Sequence, residues 1–226
     1  MSSPIALDRK GAPKKALVGL HRTLSHSHRV GVLARRIAMR IETLVPHGPT
    51  KCLDVGCGDM TIAEAIHDHT PRTEWTCIDV HPLPPGLNEH TRWKKYREFD
   101  GQTIPYGDRA FDVAVLCDVL HHTPETAAQL LAEAARVARH VIVKDHFEYG
   151  AYSRSMLRLM DFVGNWGYGI SVPERYFTRE GFMQLAAQHG LVITSLDCGL
   201  ELYEHLPVVR TVLRPDWHFI AVLRRA

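Results

Sequence analysis

The chain of 226 residues, 45% hydrophobic, is long enough to bury a real core and short enough to be one domain. Its formal charge of +2, without a dense Lys/Arg block, argues against a dedicated nucleic-acid binder. No apolar run reaches the ~18 to 20 residues of a membrane span, and the first twenty residues hold no signal-peptide-like apolar segment, so the expected compartment is the cytoplasm.

Residues 1 to 20 are polar, with Pro and Gly, and are expected to be loosely held; 21 to 226 read as one domain. Residues 27 to 45 carry Val30, Leu33, Ile37, Ile41 and Leu44 on one helical stripe. Arg29, Arg36 and Arg40 flank it. Basic amphipathic helices can lie on membranes, but basic flanks are ordinary on a surface helix, so a cap helix packed on the domain is expected. The pattern then alternates. "KCLDVG" predicts a strand, "MTIAEAIHDH" a helix, "EWTCIDV" a second strand, "RWKKYREFD" a third and more polar strand, and "FDVAVLCDVL" a fourth. "PETAAQLLAEAARVA" predicts a helix with Pro124 near its first turn, and "HVIVKDH" a fifth strand. This rhythm predicts an α/β fold: a mostly parallel sheet with helices on both faces.

After the fifth strand the rhythm breaks. Residues 147 to 177 hold Phe147, Tyr149, Tyr152, Phe162, Trp166, Tyr168, Tyr176 and Phe177, and are expected to form a mobile lid. A helix follows, with Thr178 as N-cap and Gly190 as its stop. "LVITSLDCGLEL" and "DWHFIAVLRRA" predict two final strands joined by a loop. Five cysteines, Cys52, Cys57, Cys77, Cys117 and Cys198, form no CxxC pair; four lie in or beside apolar runs and read as buried thiols in a reducing cytosol.

The glycine-rich turn in "KCLDVGCGDMT" follows the first strand. It lacks the Gly-Lys-Ser/Thr ending of a phosphate loop, and the third glycine of a dinucleotide fingerprint is replaced. Asp54 at the strand end is awkward beside a pyrophosphate, because like charges would meet in a partly dry cleft. It suits a ligand with a positive charge or hydrogen-bond donors. Asp79 ends the second strand, where an acid accepts both hydroxyls of a ribose. A nucleoside with a cationic tail and no phosphate fits both acids, as in S-adenosylmethionine (SAM).

"LDVGCGDMT", "CIDVHP" and "REFDGQTIPYGDRAFDVAVLCDVLHHTP" together resemble the motifs of class I (Rossmann-like) SAM-dependent methyltransferases, in particular the small-molecule "type 11" branch, over about residues 50 to 146. Met60 departs from that pattern where many members have a third glycine, and "RVARH" replaces the usual Pro-Gly-Gly before strand five. The resemblance implies a seven-stranded, mostly parallel sheet with an antiparallel last strand. It further implies that Gly56 and Gly58 admit the methionine part and that Asp54 lies near its ammonium. Asp79 takes the ribose, and Asp100 with the Gly101 backbone receives the adenine amino group. Cys117 and Asp118 border the methionyl group, and His122, also counted with the cofactor site, lies just beyond. The product is S-adenosylhomocysteine.

Loops beyond strands four and five face the reactive methyl in such a sheet, and they carry His121, His122, Asp145 and His146. A histidine base suits neutral pH, so His146, His122 and Asp145 are the candidate catalytic residues, with His146 expected to hang over the cleft. Asp145 is expected on the other side of the strand, without necessarily pairing with His146. His122 is expected at a helix start, where the dipole keeps it neutral. Tyr149, Tyr152, Trp166 and Tyr168 are the candidate acceptor-binding residues. The expected acceptor is a small molecule methylated on oxygen, nitrogen or sulfur. Asp118 and Asp145 are placed like the acids of cation-dependent enzymes, but the third ligand is a guess at His146, and no metal is assigned. A non-catalytic partner subunit, a nucleic-acid or protein methyltransferase, a nicotinamide oxidoreductase and a homodimeric assembly stay open from sequence.

Overall fold

A computed structural model describes residues 27–82, 95–164 and 171–226. The expectations for residues 1 to 20, for Trp166 and for Tyr168 lie outside these. Helix α1 (Ser27–Leu44) precedes β1 (Thr50–Val55), α2 (Thr61–His69), β2 (Thr73–Asp79), β3 (Tyr96–Glu98) and β4 (Phe111–Cys117). A 3₁₀ turn (Leu120–His122) leads to α3 (Ala127–Val137), β5 (Ala138–His146), α4 (Ala151–Gly164), α5 (Arg179–Gln188) and β6 (Leu191–Cys198). A short α6 (Pro207–Val212), a 3₁₀ turn (Pro215–Trp217) and β7 (His218–Arg225) complete the order.

The seven strands form one sheet in the order β3-β2-β1-β4-β5-β7-β6. All neighbours run parallel except β7, which is antiparallel to both β5 and β6. The chain leaves β1 for β2 on one side and returns to β4 on the other. That reversal opens a crevice at the carboxyl ends of β1 and β4, the usual ligand position in such sheets.

Both faces of the sheet are covered, so the central strands are apolar throughout rather than alternating. Val113 and Val115 pack toward Leu33, Ile37 and Ile41 of α1 and Ile66 of α2. Their chain neighbours Ala114 and Leu116 pack toward Leu130 and Leu131 of α3 and Phe182 of α5. The predicted α1 stripe is the buried face, and each such aliphatic side chain contributes about 1.5–3 kcal/mol by leaving water. Thr178 caps α5 by accepting a hydrogen bond from the Gly181 amide at 3.0 Å.

Three expectations need correction. Of the polar third strand, Tyr96–Glu98 pair at the sheet edge while Phe99 and Asp100 leave it, and residues 92–94 lie outside the described residues. The sixth strand stops at Cys198 because Gly199 takes φ +84°, and the following connection holds α6 and a 3₁₀ turn instead of a plain loop. The ends of the aromatic insert belong to the core. Phe147 is fully buried, bridges to Phe177, and stacks on Phe219 with ring centroids 3.9 Å apart. Among the described residues no helix is long and apolar enough to cross a membrane.

Candidate cofactor and acceptor site

The turn after β1 is held against β2. The amides of Gly56 and Cys57 both donate to the Ile78 carbonyl, at 2.8 and 3.1 Å. Gly56 has φ +72°, and a Cβ there would lie 2.6 Å from a methyl of Val119, so conformation and space both demand glycine. Met60, standing where a third glycine is common, itself takes the left-handed conformation at φ +61°. That costs ~1–2 kcal/mol, and full burial of the side chain offsets it.

Three acids frame the crevice from the β1–β3 side. Asp54 is only 2% exposed, and its Oδ2 has no hydrogen-bond partner. Burial, then the charges of Asp79 and Asp59, push its pKa up to about 7. A carboxylate so placed is satisfied by a ligand cation. Asp79 accepts the Gly58 amide on Oδ2 at 2.8 Å and the His81 amide on Oδ1 at 3.1 Å. These bonds fix the carboxylate while each oxygen keeps a lone pair for a hydroxyl. Asp100 accepts the Gln102 and Thr103 amides on Oδ1, at 2.8 and 2.7 Å, leaving Oδ2 toward solvent. Those bonds hold its pKa below the usual value. Gly101 follows at φ +77°, with Val80 2.9 Å from a hypothetical Cβ. An unpaired buried acid, a two-pronged acceptor and an open acid beside a tight backbone suit the ammonium, ribose and adenine of SAM.

The β4–β5 side is built differently. Asp118 takes φ +57°, which Asp tolerates better than most residues, and its carboxylate forms ion pairs with Arg29 of α1 and with Lys144 of β5. Lys144 is fully buried. Burial opposes the Asp118 charge, but Lys144, His146 and Arg29 outweigh it and hold the carboxyl well below its usual range. Cys117 is partly buried; burial, then Asp54 and Asp118, raise its thiol well above normal.

Successive β5 residues point to opposite faces. Lys144 and His146 therefore share the α1 side, and Asp145 lies on the α3 side. His146 is buried, with Nδ1 3.3 Å from Asp118 Oδ1 and Nε2 3.5 Å from Lys144 Nζ. Its ring stands 4.8 Å from that of buried His218. Burial, then Lys144, lower the His146 pKa. Instead of hanging over the cleft, the imidazole is walled in. Asp145 bends back to accept the His146 amide at 2.7 Å, and its nearest imidazole partner is His121, with Nδ1 at 2.6 Å. The expected separation of Asp145 from His146 is thus incomplete.

His121 completes the wall. Its Nε2 lies 3.4 Å from Asp161 Oδ2, an oxygen that also accepts the Tyr176 hydroxyl at 2.5 Å. Burial opposes its charge, but Asp145 and Asp161 together push the pKa up to about 10. His122 sits in the 3₁₀ turn, well before α3, so no helix dipole governs it; burial, then the charge on His121, lower its pKa. Its Nδ1 faces the Ser171 carbonyl at 3.2 Å. Tyr149 and Tyr152 are mostly exposed and direct their hydroxyls to the carbonyls of Asp216 and Val212.

Sequence reasoning did not single out Asp161, Lys144 or Tyr176, and gave Arg29 only a flanking role. A signal existed for Lys144: a Lys-Asp pair interrupts the otherwise apolar "HVIVKDH". Asp161 carried none, since an acid in a helix ordinarily faces water.

Residues 53–140 match a family model described as "Methyltransferase domain". A search among curated proteins finds no match. Among solved structures, the chain is similar to the putative methyltransferase in complex with the Haloferax volcanii Trm112 methyltransferase activator, at 13% identity and TM-score 0.64, covering 98% of this chain and 99% of that one. It is also similar to the Burkholderia thailandensis 1,6-didemethyltoxoflavin-N1-methyltransferase with bound S-adenosylhomocysteine, at 14% identity and TM-score 0.60, covering 100% and 93%. The mitomycin 7-O-methyltransferase MmcR matches at 18% identity and TM-score 0.59, covering 96% of this chain and 59% of that one. The matched stretch contains the glycine turn, Asp79 and Asp100; together with the class I sheet order it points to a SAM-dependent methyltransferase enzyme.

Proposed function

We propose that the chain methylates an oxygen, nitrogen or sulfur atom of a small-molecule acceptor held between the carboxyl ends of β4 and β5 and helix α4. The observation that carries this reading is the enclosed polar wall of His121, His122, Asp161 and Tyr176, drawn from three separate chain segments onto one corner of the crevice. Two of the similar structures carry names of small-molecule methyltransferases. The free thiols suit a reducing cytoplasm.

SAM supplies a methyl group on a positive sulfur: the acceptor lone pair takes the carbon, the carbon–sulfur pair returns to sulfur, and the acceptor proton leaves. The protein contributes alignment, exclusion of water and placement of charge. Asp54 holds the ammonium, Asp79 the ribose and Asp100 with Gly101 the adenine. Cys117 and Asp118 border the methionyl group. We assign the acceptor's reacting atom to the His121–His122–Asp161 corner. His146, closed in by Lys144, Asp118, Asp145 and His218, acts by positioning that wall. Tyr149 and Tyr152 lie at the outer edge of the acceptor region.

The test is a calorimetric titration with S-adenosylhomocysteine, followed by methyl transfer from labelled SAM to a panel of hydroxyl, amine and thiol acceptors. Asp79→Asn is expected to weaken binding ~10- to 100-fold, because hydrogen bonds to a charged group contribute ~1.5–3 kcal/mol each. Equal affinity of wild type and Asp79→Asn would overturn the ribose assignment. Absence of transfer to every acceptor despite tight binding would favour a non-catalytic partner subunit.

A further inference from the structure

The polar wall contains more nitrogen and oxygen donors than its hydrogen bonds use. His121 is 2% exposed, yet its Nε2 has no hydrogen-bond partner. Its other nitrogen, Nδ1, is held by Asp145 Oδ1 at 2.6 Å. His122 repeats the arrangement, with Nδ1 at 3.2 Å from the Ser171 carbonyl. In both rings an oxygen partner engages Nδ1 and leaves Nε2 as the nitrogen open to a ligand; on His121 an arriving cation would displace the Nε2 proton that Asp145 and Asp161 favour. Metal-bound histidines are oriented in this way by a carboxylate or a carbonyl. Asp161 is fixed similarly, by the Tyr176 hydroxyl at 2.5 Å.

One donor atom from each of His121, His122 and Asp161 lies within 4.8 Å of the others. His121 Nε2 and Asp161 Oδ2 are 3.4 Å apart. Two ligands each ~2.0–2.2 Å from a tetrahedral ion stand roughly 3.4 Å from one another. We propose that His121, His122 and Asp161 form a binding site for a divalent transition metal ion, with Asp145, Ser171 and Tyr176 as its outer supports. Two imidazoles and one carboxylate select zinc, cobalt, iron or manganese over calcium and magnesium, and leave coordination positions open.

Asp118, Asp145, His121 and His146 also bring donor atoms within 4.8 Å of one another, but that group is already occupied by cations. Lys144 and Arg29 both pair with Asp118, and Lys144 Nζ lies 3.5 Å from His146 Nε2. A divalent ion there would meet two fixed positive charges. The His121–His122–Asp161 corner has the opposite balance, with two carboxylates, Asp145 and Asp161, against the imidazole pair.

The ion's existence stands on this geometry alone; its role rests on the methyl-transfer reading. At the open positions it would take an alcohol, phenol or enol oxygen of the acceptor. Bound there, an ion would supply Lewis-acid polarisation of that oxygen: its proton would pass to water, and its lone pair would take the SAM methyl carbon as the carbon–sulfur pair returns to sulfur. His122 is then a ligand to the ion, and no histidine base is needed.

The test uses the full chain, stripped with a chelator and titrated with Co²⁺. The expected result is one Co²⁺ per chain, a visible ligand-field absorption, and displacement by Zn²⁺. Asp161→Asn and His122→Ala are each expected to weaken Co²⁺ binding at least 100-fold. Asp145→Asn, which alters only the outer support, should weaken it ~10- to 100-fold. A urea-unfolding midpoint close to wild type in the ligand variants serves as the control that they fold. No stoichiometric Co²⁺ uptake by the wild type at micromolar concentrations overturns the site, as does undiminished uptake by either ligand variant. Co²⁺ uptake without S-adenosylhomocysteine binding would overturn the methyl-transfer reading and leave the metal site standing.

Discussion

The two halves of the crevice handle their carboxylates in opposite ways. On the β1–β3 side, Asp54 is buried without a partner, and Asp79 and Asp100 are fixed by backbone amides with oxygens to spare. On the β4–β5 side, Asp118, Asp145 and Asp161 each already face at least one cationic or imidazole partner from another element. In the proposed reading the first half is completed by the cationic nucleoside, and the second half is the fixed wall that aligns the acceptor. A ligand that must enter and leave is better served by acids held ready than by acids already paired. A group that must not shift while a methyl is transferred is better served by a network holding it from several sides.

The largest effect is expected in the fixed half. Asp118→Ala leaves the fully buried Lys144 without its carboxylate and should cost about 3–5 kcal/mol in urea unfolding. The pair Asp118→Ala with Lys144→Met should recover part of that loss, since the uncompensated charge is gone. If Asp118→Ala alone costs under about 1 kcal/mol, the contrast between the halves breaks.

Asp54→Asn sharpens the contrast from the open half. Asp54 has its pKa raised from 3.8 to about 7 in the folded chain. Between those values the folded state binds a proton that the unfolded state lacks, so ligand-free stability falls as pH rises through this window. The expected fall is about 1–3 kcal/mol, the cost of an unsatisfied buried group, and Asp54→Asn should abolish it. S-adenosylhomocysteine carries an ammonium, so its binding to wild type should tighten as pH rises through about 7, and the variant should lose that dependence. A flat pH profile of wild-type stability would place a partner on Asp54 and remove its readiness for a cation.

The smallest effect is expected at the rim. Tyr152 is 60% exposed, and its ring meets Trp217 edge-on at 5.8 Å. Tyr152→Ala should change stability by under about 0.5 kcal/mol and leave S-adenosylhomocysteine affinity alone, while raising the acceptor KM a few-fold. An unchanged KM would remove Tyr152 from the acceptor side.

How much of this was legible in the sequence follows from how local each cause is. The strand–helix rhythm, the α1 stripe, the Thr178 cap and the glycine turn depend on spacing and on conformations that neighbouring residues enforce. These could be read directly, and with them the strand-end position of Asp54 and the acids Asp79 and Asp100, whose bonds to nearby amides belong to the same turns and strand ends. The shortened third strand and the early stop at Gly199 lay just beyond that reach, because edge pairing and one left-handed residue decide them. The acceptor wall was legible only in part. "CDVLHH" and "VIVKDH" marked where histidines gather, but which of them is free depends on partners far along the chain. His146 is enclosed because Arg29, 117 positions earlier, secures Asp118 beside Lys144. His121 is held because Asp145 and Asp161 converge on its two nitrogens from β5 and α4. The sequence by itself determined the sheet and its cofactor turns, since those forces act between near neighbours. Only the tertiary structure decided the charge balance of the wall, since the strength of a buried ion pair is set by distance and desolvation, and packing alone brings those residues together.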